Sequence, residues 1–231
     1  MFIGHFGIAF ALKRYSQKTS LGVLFVAVQL ADIMFFFLVA LGIEHFRIVP
    51  GFTAASPFDL YDYPISHSLL GAVVWSIITY LVVRFIPLKS LEDTTYRKRA
   101  ALVLSIAVFS HFVLDFIVHT PDLLLIPGLD IKVGLGLWNS LIGSIVVELA
   151  ILLVGCVIYL RTIPAGTGFV GKYGMYVFMI VLAVVSVGTP FIAFSNVLMV
   201  VVASELLYTG FTLAAWWLDG KRQTIPKNQS S

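Results

Sequence analysis

Six stretches of about twenty residues, each apolar enough to cross a hydrocarbon core of about 30 Å, follow one another along this chain. They run Leu21 to Ile43, Ser66 to Ile86, Ala100 to Val118, Leu141 to Leu160, Tyr173 to Phe194 and Val197 to Leu218. A lipid core offers no water to free backbone groups, so segments of this kind must satisfy their own N–H and C=O groups as helices. The expected fold is therefore an all-α, polytopic membrane helical bundle of six spans. A composition of 59% hydrophobic and 12% charged residues argues against an ordinary water-soluble enzyme.

A further apolar stretch, Met1 to Leu12, is too short to cross at about 1.5 Å rise per residue. Lys13, Arg14 and Lys18 follow it, whereas a signal peptide carries its positive charges first; the expectation is a retained half-helix or re-entrant segment. No repeat or linker interrupts the rest. Residues 1–220 read as one integral-membrane domain and 221–231 as a polar cytoplasmic tail.

Orientation follows from the basic residues. The N-terminal segment, the second-to-third and fourth-to-fifth connections and the tail hold 13 of the 15 Lys and Arg residues, leaving Arg47 and Lys132 on the other side. The positive-inside rule puts both termini in the cytoplasm and the loops around Asp59 and Asp130 outside. The charge behind the pI near 9.0 is spread over these connections rather than clustered on a soluble face, so no nucleic-acid partner is expected. The single cysteine, Cys156, lies in an apolar run and reads as packing.

Chemistry concentrates in Ser110 to His119, where His111, Asp115 and His119 stand at i, i+4 and i+8 of an apolar helix. Residues four apart share a helix face, so His111 and Asp115 can grip one ion, as the two His of an HExxH helix do. This pair is the candidate catalytic centre. Asp32, Glu148 and Glu205 also lie within spans, where an unpaired acid costs about 2.5 to 3.5 kcal/mol. Counted inward from the outer ends, Asp32, His111, Glu148 and Glu205 fall in one layer roughly 11 to 16 Å deep. Asp115 lies at about 5 Å and His67 at about 2 Å. A shared layer implies a cavity that opens outward. Ser66 reads as a helix cap fixing the height of His67, and Asn139 or Ser140 as a cap with Trp138 at the membrane interface. Gly188-Thr189-Pro190 should kink the fifth span. His45, beside Glu44 in the outer loop, reads as a solvated surface imidazole.

The ordered series His5, Asp32, His67, His111-x3-Asp115 with His119 resembles the membrane-bound metal-dependent hydrolases of bacterial inner membranes. More distantly it is similar to the zinc-dependent phospholipases C and single-strand-specific nucleases. The resemblance covers roughly the first half of the chain. It implies that Asp32, His67, His111 and Asp115 surround one metal and that His5 shares Asp115 with a second. It also implies a bacterial-type inner membrane as the location. The soluble enzymes add a later His for a third metal, and no histidine follows His119 here; His119, Glu148 and Glu205 are further candidates. Oxygen and nitrogen donors without thiolate suit a divalent metal, zinc first. The implied activity is hydrolysis of a phosphoester or similar bond at the outer face, on a lipid-like substrate that enters sideways from the membrane lipid, with no Ser or Lys nucleophile needed. The alternative is a transporter or permease in which the buried acids and histidines form a proton or cation path.

Overall fold

A computed structural model describes residues 3–86 and 94–222; the start of Met1 to Leu12, most of the second-to-third connection and the tail beyond 222 lie outside the described residues. The chain is predominantly helical: α1 (Gly4–Leu12), α2 (Leu21–Val28), α3 (Leu30–Ala40), α4 (Pro64–His67), α5 (Leu69–Phe85), α6 (Thr94–Val118), α7 (Leu141–Thr162), α8 (Met175–Gly188) and α9 (Val197–Arg222). Four helical segments are long and apolar enough to cross a membrane, and α2 with α3 makes a fifth if the bent pair is one span. The sixth stretch, α5, has 17 residues and a length of about 26 Å. It presents Val74, Ile77, Ile78, Leu81 and Phe85 outward, a run of exposed apolar side chains that suits lipid and not water.

The centre of the bundle is the short helix α1, packed against α2, α6 and α7. Its sequence, GHFGIAFAL, is apolar on all sides, as a helix enclosed by others must be. Close approach to α7 depends on two glycines: a Cβ on Gly155 would overlap the Gly7 carbonyl, and one on Gly7 would overlap the Ile151 carbonyl. Below His5, the α1 residues Phe6 and Phe10 fill the interior with Phe25, the rings of Phe6 and Phe25 stacking at 4.2 Å.

The axis of the first long stretch turns by 58° between α2 and α3. The break falls at Gln29, directly after Val28, whose carbonyl is taken by the His111 ring; a side chain intruding on the helical hydrogen-bond ladder is a recognised cause of such kinks. The break brings Asp32, in the first turn of α3, to the level of α6.

Two short hairpins cover the end where the site lies. The stretch expected as loop between the first two spans contains β1 (His45–Ile48) paired antiparallel with β2 (Phe58–Asp62), and β3 (Leu123–Leu124) pairs with β4 (Lys132–Val133). Gly188-Thr189-Pro190 ends α8 in a 3-10 turn, Thr189–Phe191, instead of kinking a continuing helix, because proline removes a donor the next turn needs.

Candidate metal centre

Five side chains from four elements meet at the N-terminal end of α1: His5 (α1), Asp32 (α3), His67 (α4), and His111 and Asp115 (α6). His5, His67, His111 and Asp115 are buried and Asp32 is partly so. His111 Nε2 lies 3.0 Å from Asp115 Oδ2 and 3.5 Å from Asp32 Oδ1, and His67 Nε2 lies 3.3 Å from Asp32 Oδ1 and 3.6 Å from Asp115 Oδ2. Ligands at about 2.1 Å from a tetrahedral zinc stand about 3.4 Å from one another, close to these four separations, and the donor atoms lie within 4.8 Å of one another in two triads, Asp32–His67–His111 and His5–His111–Asp115. On the other face of the Asp115 carboxylate, His5 Nε2 is 3.2 Å from Oδ1, and its ring stacks on that of His111 at 3.9 Å. Asp115 can therefore face two ions at once, whereas the single lone pair of His111 Nε2 serves only one.

The imidazoles are oriented from behind. His111 Nδ1 donates to the Val28 carbonyl at 2.7 Å. Ser66 donates its hydroxyl to Glu44 Oε2 at 2.6 Å, which leaves the Ser66 oxygen to accept from His67 Nδ1 at 2.7 Å. Glu44 is itself buried and held by the Ile65 and Ser66 backbone N–H groups. Both rings thus carry a proton on Nδ1 and turn Nε2 toward the carboxylates, the arrangement by which partners behind a ligand fix which nitrogen can ligate. The Nε2 atoms stand 3.0 to 3.6 Å from the carboxylate oxygens, and a cation between them would be ligated by both in place of the proton. The Nε2 atoms of His5 and His111 are buried without a hydrogen bond, a costly condition that ligation would relieve. Asp32 is held at its other oxygen by Tyr208, whose hydroxyl donates at 3.0 Å.

His119 stands at the edge of the cluster, with Nε2 3.8 Å from Asp115 Oδ2. Its Nδ1 donates to Asp122 at 3.0 Å, and Tyr63 donates to the same oxygen at 2.6 Å. Burial works against the Asp122 charge, yet the bonds from His119, Tyr63 and Thr120 outweigh it and hold the carboxyl below its ordinary range. Burial, reinforced by Asp122, pushes the Tyr63 phenol well above its ordinary range and keeps it a donor. Trp138 packs against His119 with ring centroids 4.2 Å apart and planes tilted by 37°, so it also borders the site.

Glu148 lines the same cavity as Asp32, His67, Asp115 and His119, but both its oxygens are engaged. Oε1 accepts from the Ile3 and Gly4 backbone N–H groups and Oε2 from Ser186, so Glu148 holds the N-terminus of α1 and thereby the height of His5. Glu205 corrects the expectation of a shared cavity: it is half-buried and does not line it. At about 100° per residue, Glu205 points about 200° away from Ala203 and Leu207, which do. Ser66 is no cap either; Ser68 caps α5, accepting from Gly71 N–H, and Ser140 caps α7. His45 pairs with Asp62 on the first hairpin, half exposed and away from the cluster.

Sequence reading missed Glu44, Tyr208 and Asp122, and read Ser66 as a cap where it bonds the His67 ring. The signal for Glu44 was weak: a lone acid at the end of a span reads as solvated, and only the fold shows it under the His67 ring. Comparison of the chain with protein-family models, with curated proteins and with solved structures finds no match.

Proposed function

We propose that this protein is a membrane-embedded, divalent-metal-dependent hydrolase acting on a phosphoester or similar bond of a lipid-like substrate, akin to the inner-membrane hydrolases that its His and Asp series resembles. The observation that carries the reading is the pair of tautomer-fixed imidazoles whose Nε2 atoms converge on Asp32 and Asp115. Asp32, His67, His111 and Asp115 would hold one ion, and His5 with Asp115 a second, zinc being the metal that best suits nitrogen and carboxylate donors at this spacing. Such an ion supplies activated water at neutral pH and polarises a phosphoryl oxygen. The chain's own residues do the rest: Val28, Glu44 and Ser66 orient the ligands, Trp138 and His119 wall the cavity, and the aromatic lining excludes bulk water. The rival proton path would need polar groups continuing through the bundle, and the α1 interior between His5 and Lys13 is filled by buried Phe6 and Phe10. Purified without chelators, the protein should carry stoichiometric divalent metal and cleave a fluorogenic phosphodiester, with activity lost to a chelator and restored by zinc. Metal-free wild type would end this reading and favour the transport alternative.

The same reading includes six spans in a bacterial-type inner membrane, α5 serving as a short one with local thinning of the bilayer, and both termini in the cytoplasm. Reporter fusions in the loops at Asp59 and Asp130 should read as external and a fusion after Arg222 as internal. An internal reading at Asp59 would reverse the topology and place the site on the cytoplasmic side.

A further inference from the structure

The Asp32, His67 and Asp115 side chains form one end of a chamber of about 310 Å³ whose remaining wall is mostly apolar, broken by His119, Glu148 and a few hydroxyls, and holds no Lys or Arg among the described residues. Three of its lining residues are also well exposed on the outside of the bundle: Ile192 (48%), Met199 (44%) and Leu207 (39%). A residue that lines a cavity and is exposed at once marks its mouth. Met199 and Leu207 stand eight residues apart on one stripe of α9, so this mouth is a slot about 12 Å long running down the side of the helix. Ala203 lies between them on the same stripe, and its small side chain leaves the slot room. An opening at the end of a span would meet water, but one along a span meets acyl chains.

We propose that this chamber is the binding site for the single apolar chain of an amphiphile, which passes through the slot from the bilayer with its polar group at the Asp32, His67 and Asp115 end. The proposal deepens the hydrolase reading and rests on it only for the identity of that reacting end. At about 30 Å³ per non-hydrogen centre, the chamber takes at least roughly ten carbons, enough for the proximal part of a chain, and the slot follows a single stripe of α9, so it admits one chain at a time. The absence of Lys and Arg from the wall has a second consequence. A phosphate group meets no Lys or Arg there, and the Ser144, Ser186, Thr189 and Tyr208 hydroxyls already donate to Leu137, Glu148, Val185 and Asp32, so its hold depends on bound metal, while the chain's hold does not.

The test uses full-length protein in phosphatidylethanolamine and phosphatidylglycerol vesicles with a diazirine-tipped decanol, photolysed with and without chelator. Labelling should concentrate on the peptides holding Val185 and Ala203, persist without metal, and fall about tenfold in Ala203→Trp, which fills the slot. Decyl phosphonate should compete only when metal is present, and a two-chain phosphonate about tenfold less well. Equal labelling of the lipid-facing Ile142 and Leu213, or no change in Ala203→Trp, overturns the proposal, as does equal competition by the two-chain compound. Unchanged metal content in Ala203→Trp shows that the variant is folded; should it fail to fold, the two-chain competition on wild type decides. Wild type that carries no metal when purified without chelator, yet still labels at Val185 and Ala203, would refute the hydrolase reading and leave the chain site standing.

Discussion

Asp115→Ala protein should reach the membrane at near-normal levels and carry no bound divalent metal. Asp115 is the one side chain that faces every imidazole of the cluster, with His5 and His111 at 3.2 and 3.0 Å and His67 and His119 at 3.6 and 3.8 Å. Its removal would take a ligand from both proposed ions and half the negative charge that would balance them. His111→Ala should lose the ion proposed between Asp32, His67 and Asp115, because its Nε2 faces both carboxylates. His45→Ala, on the exposed hairpin, should keep full metal content. Between these extremes stands Glu44→Gln, which preserves size but weakens the bond that fixes Ser66 and so the His67 tautomer. Loss of such a partner behind a ligand typically lowers metal affinity about 10- to 100-fold, so Glu44→Gln should hold metal at saturation and release it first in a chelator titration. Elemental analysis of the purified variants with that titration reads the whole series. Metal retained in Asp115→Ala would place the ion elsewhere in the protein.

The side chains that would touch the metal were legible because metal ligands in an apolar chain have nothing to hide among. A His, an Asp and a second His at helical spacing within Ser110 to His119 are conspicuous against lipid, and depth counting put Asp32 near the same level. The supporting residues were not legible. Glu44 and Tyr208 lie 21 or more positions away from the groups they hold, and nothing local separates a tyrosine that donates to a buried Asp from one in an aromatic belt. Depth misled for Glu205, since rise along a helix says nothing about which way a side chain points. The helical stretches themselves followed from hydropathy, but the break at Gln29 did not: the sequence there has neither Pro nor Gly, and the kink coincides with a long-range bond from His111. The central place of α1 was equally hidden, for a short apolar segment reads as a half-helix or a re-entrant piece until the glycine contact with α7 is seen.

The second large effect is expected at the opposite end of α1. Lys13 and Asp219 are both buried, and Lys13 Nζ lies 2.6 Å from Asp219 Oδ2 and 2.6 Å from the Thr19 carbonyl. The same carboxylate accepts from the Leu21 backbone N–H at 3.1 Å and from Tyr159 at 2.9 Å, so one side chain on α9 ties together the end of α1, the start of α2 and α7. Asp219→Ala would leave a buried ammonium, a helix-initial N–H and a phenol with a partner removed. Breaking a buried pair in this way costs about 3 to 5 kcal/mol, whereas replacing both charges by apolar groups is often near neutral. Asp219→Ala should therefore lower the melting temperature in detergent by on the order of 10 °C, and Lys13→Met with Asp219→Leu should recover more than half of that loss. Metal content separates this effect from the site: no ligand is changed, so protein that remains folded should keep its ion. A variant that melts like wild type would mean that Lys13 finds other partners and that the pair contributes little. Metal loss below the melting transition would instead show that anchoring the lower end of α1 is needed to hold His5 against Asp115.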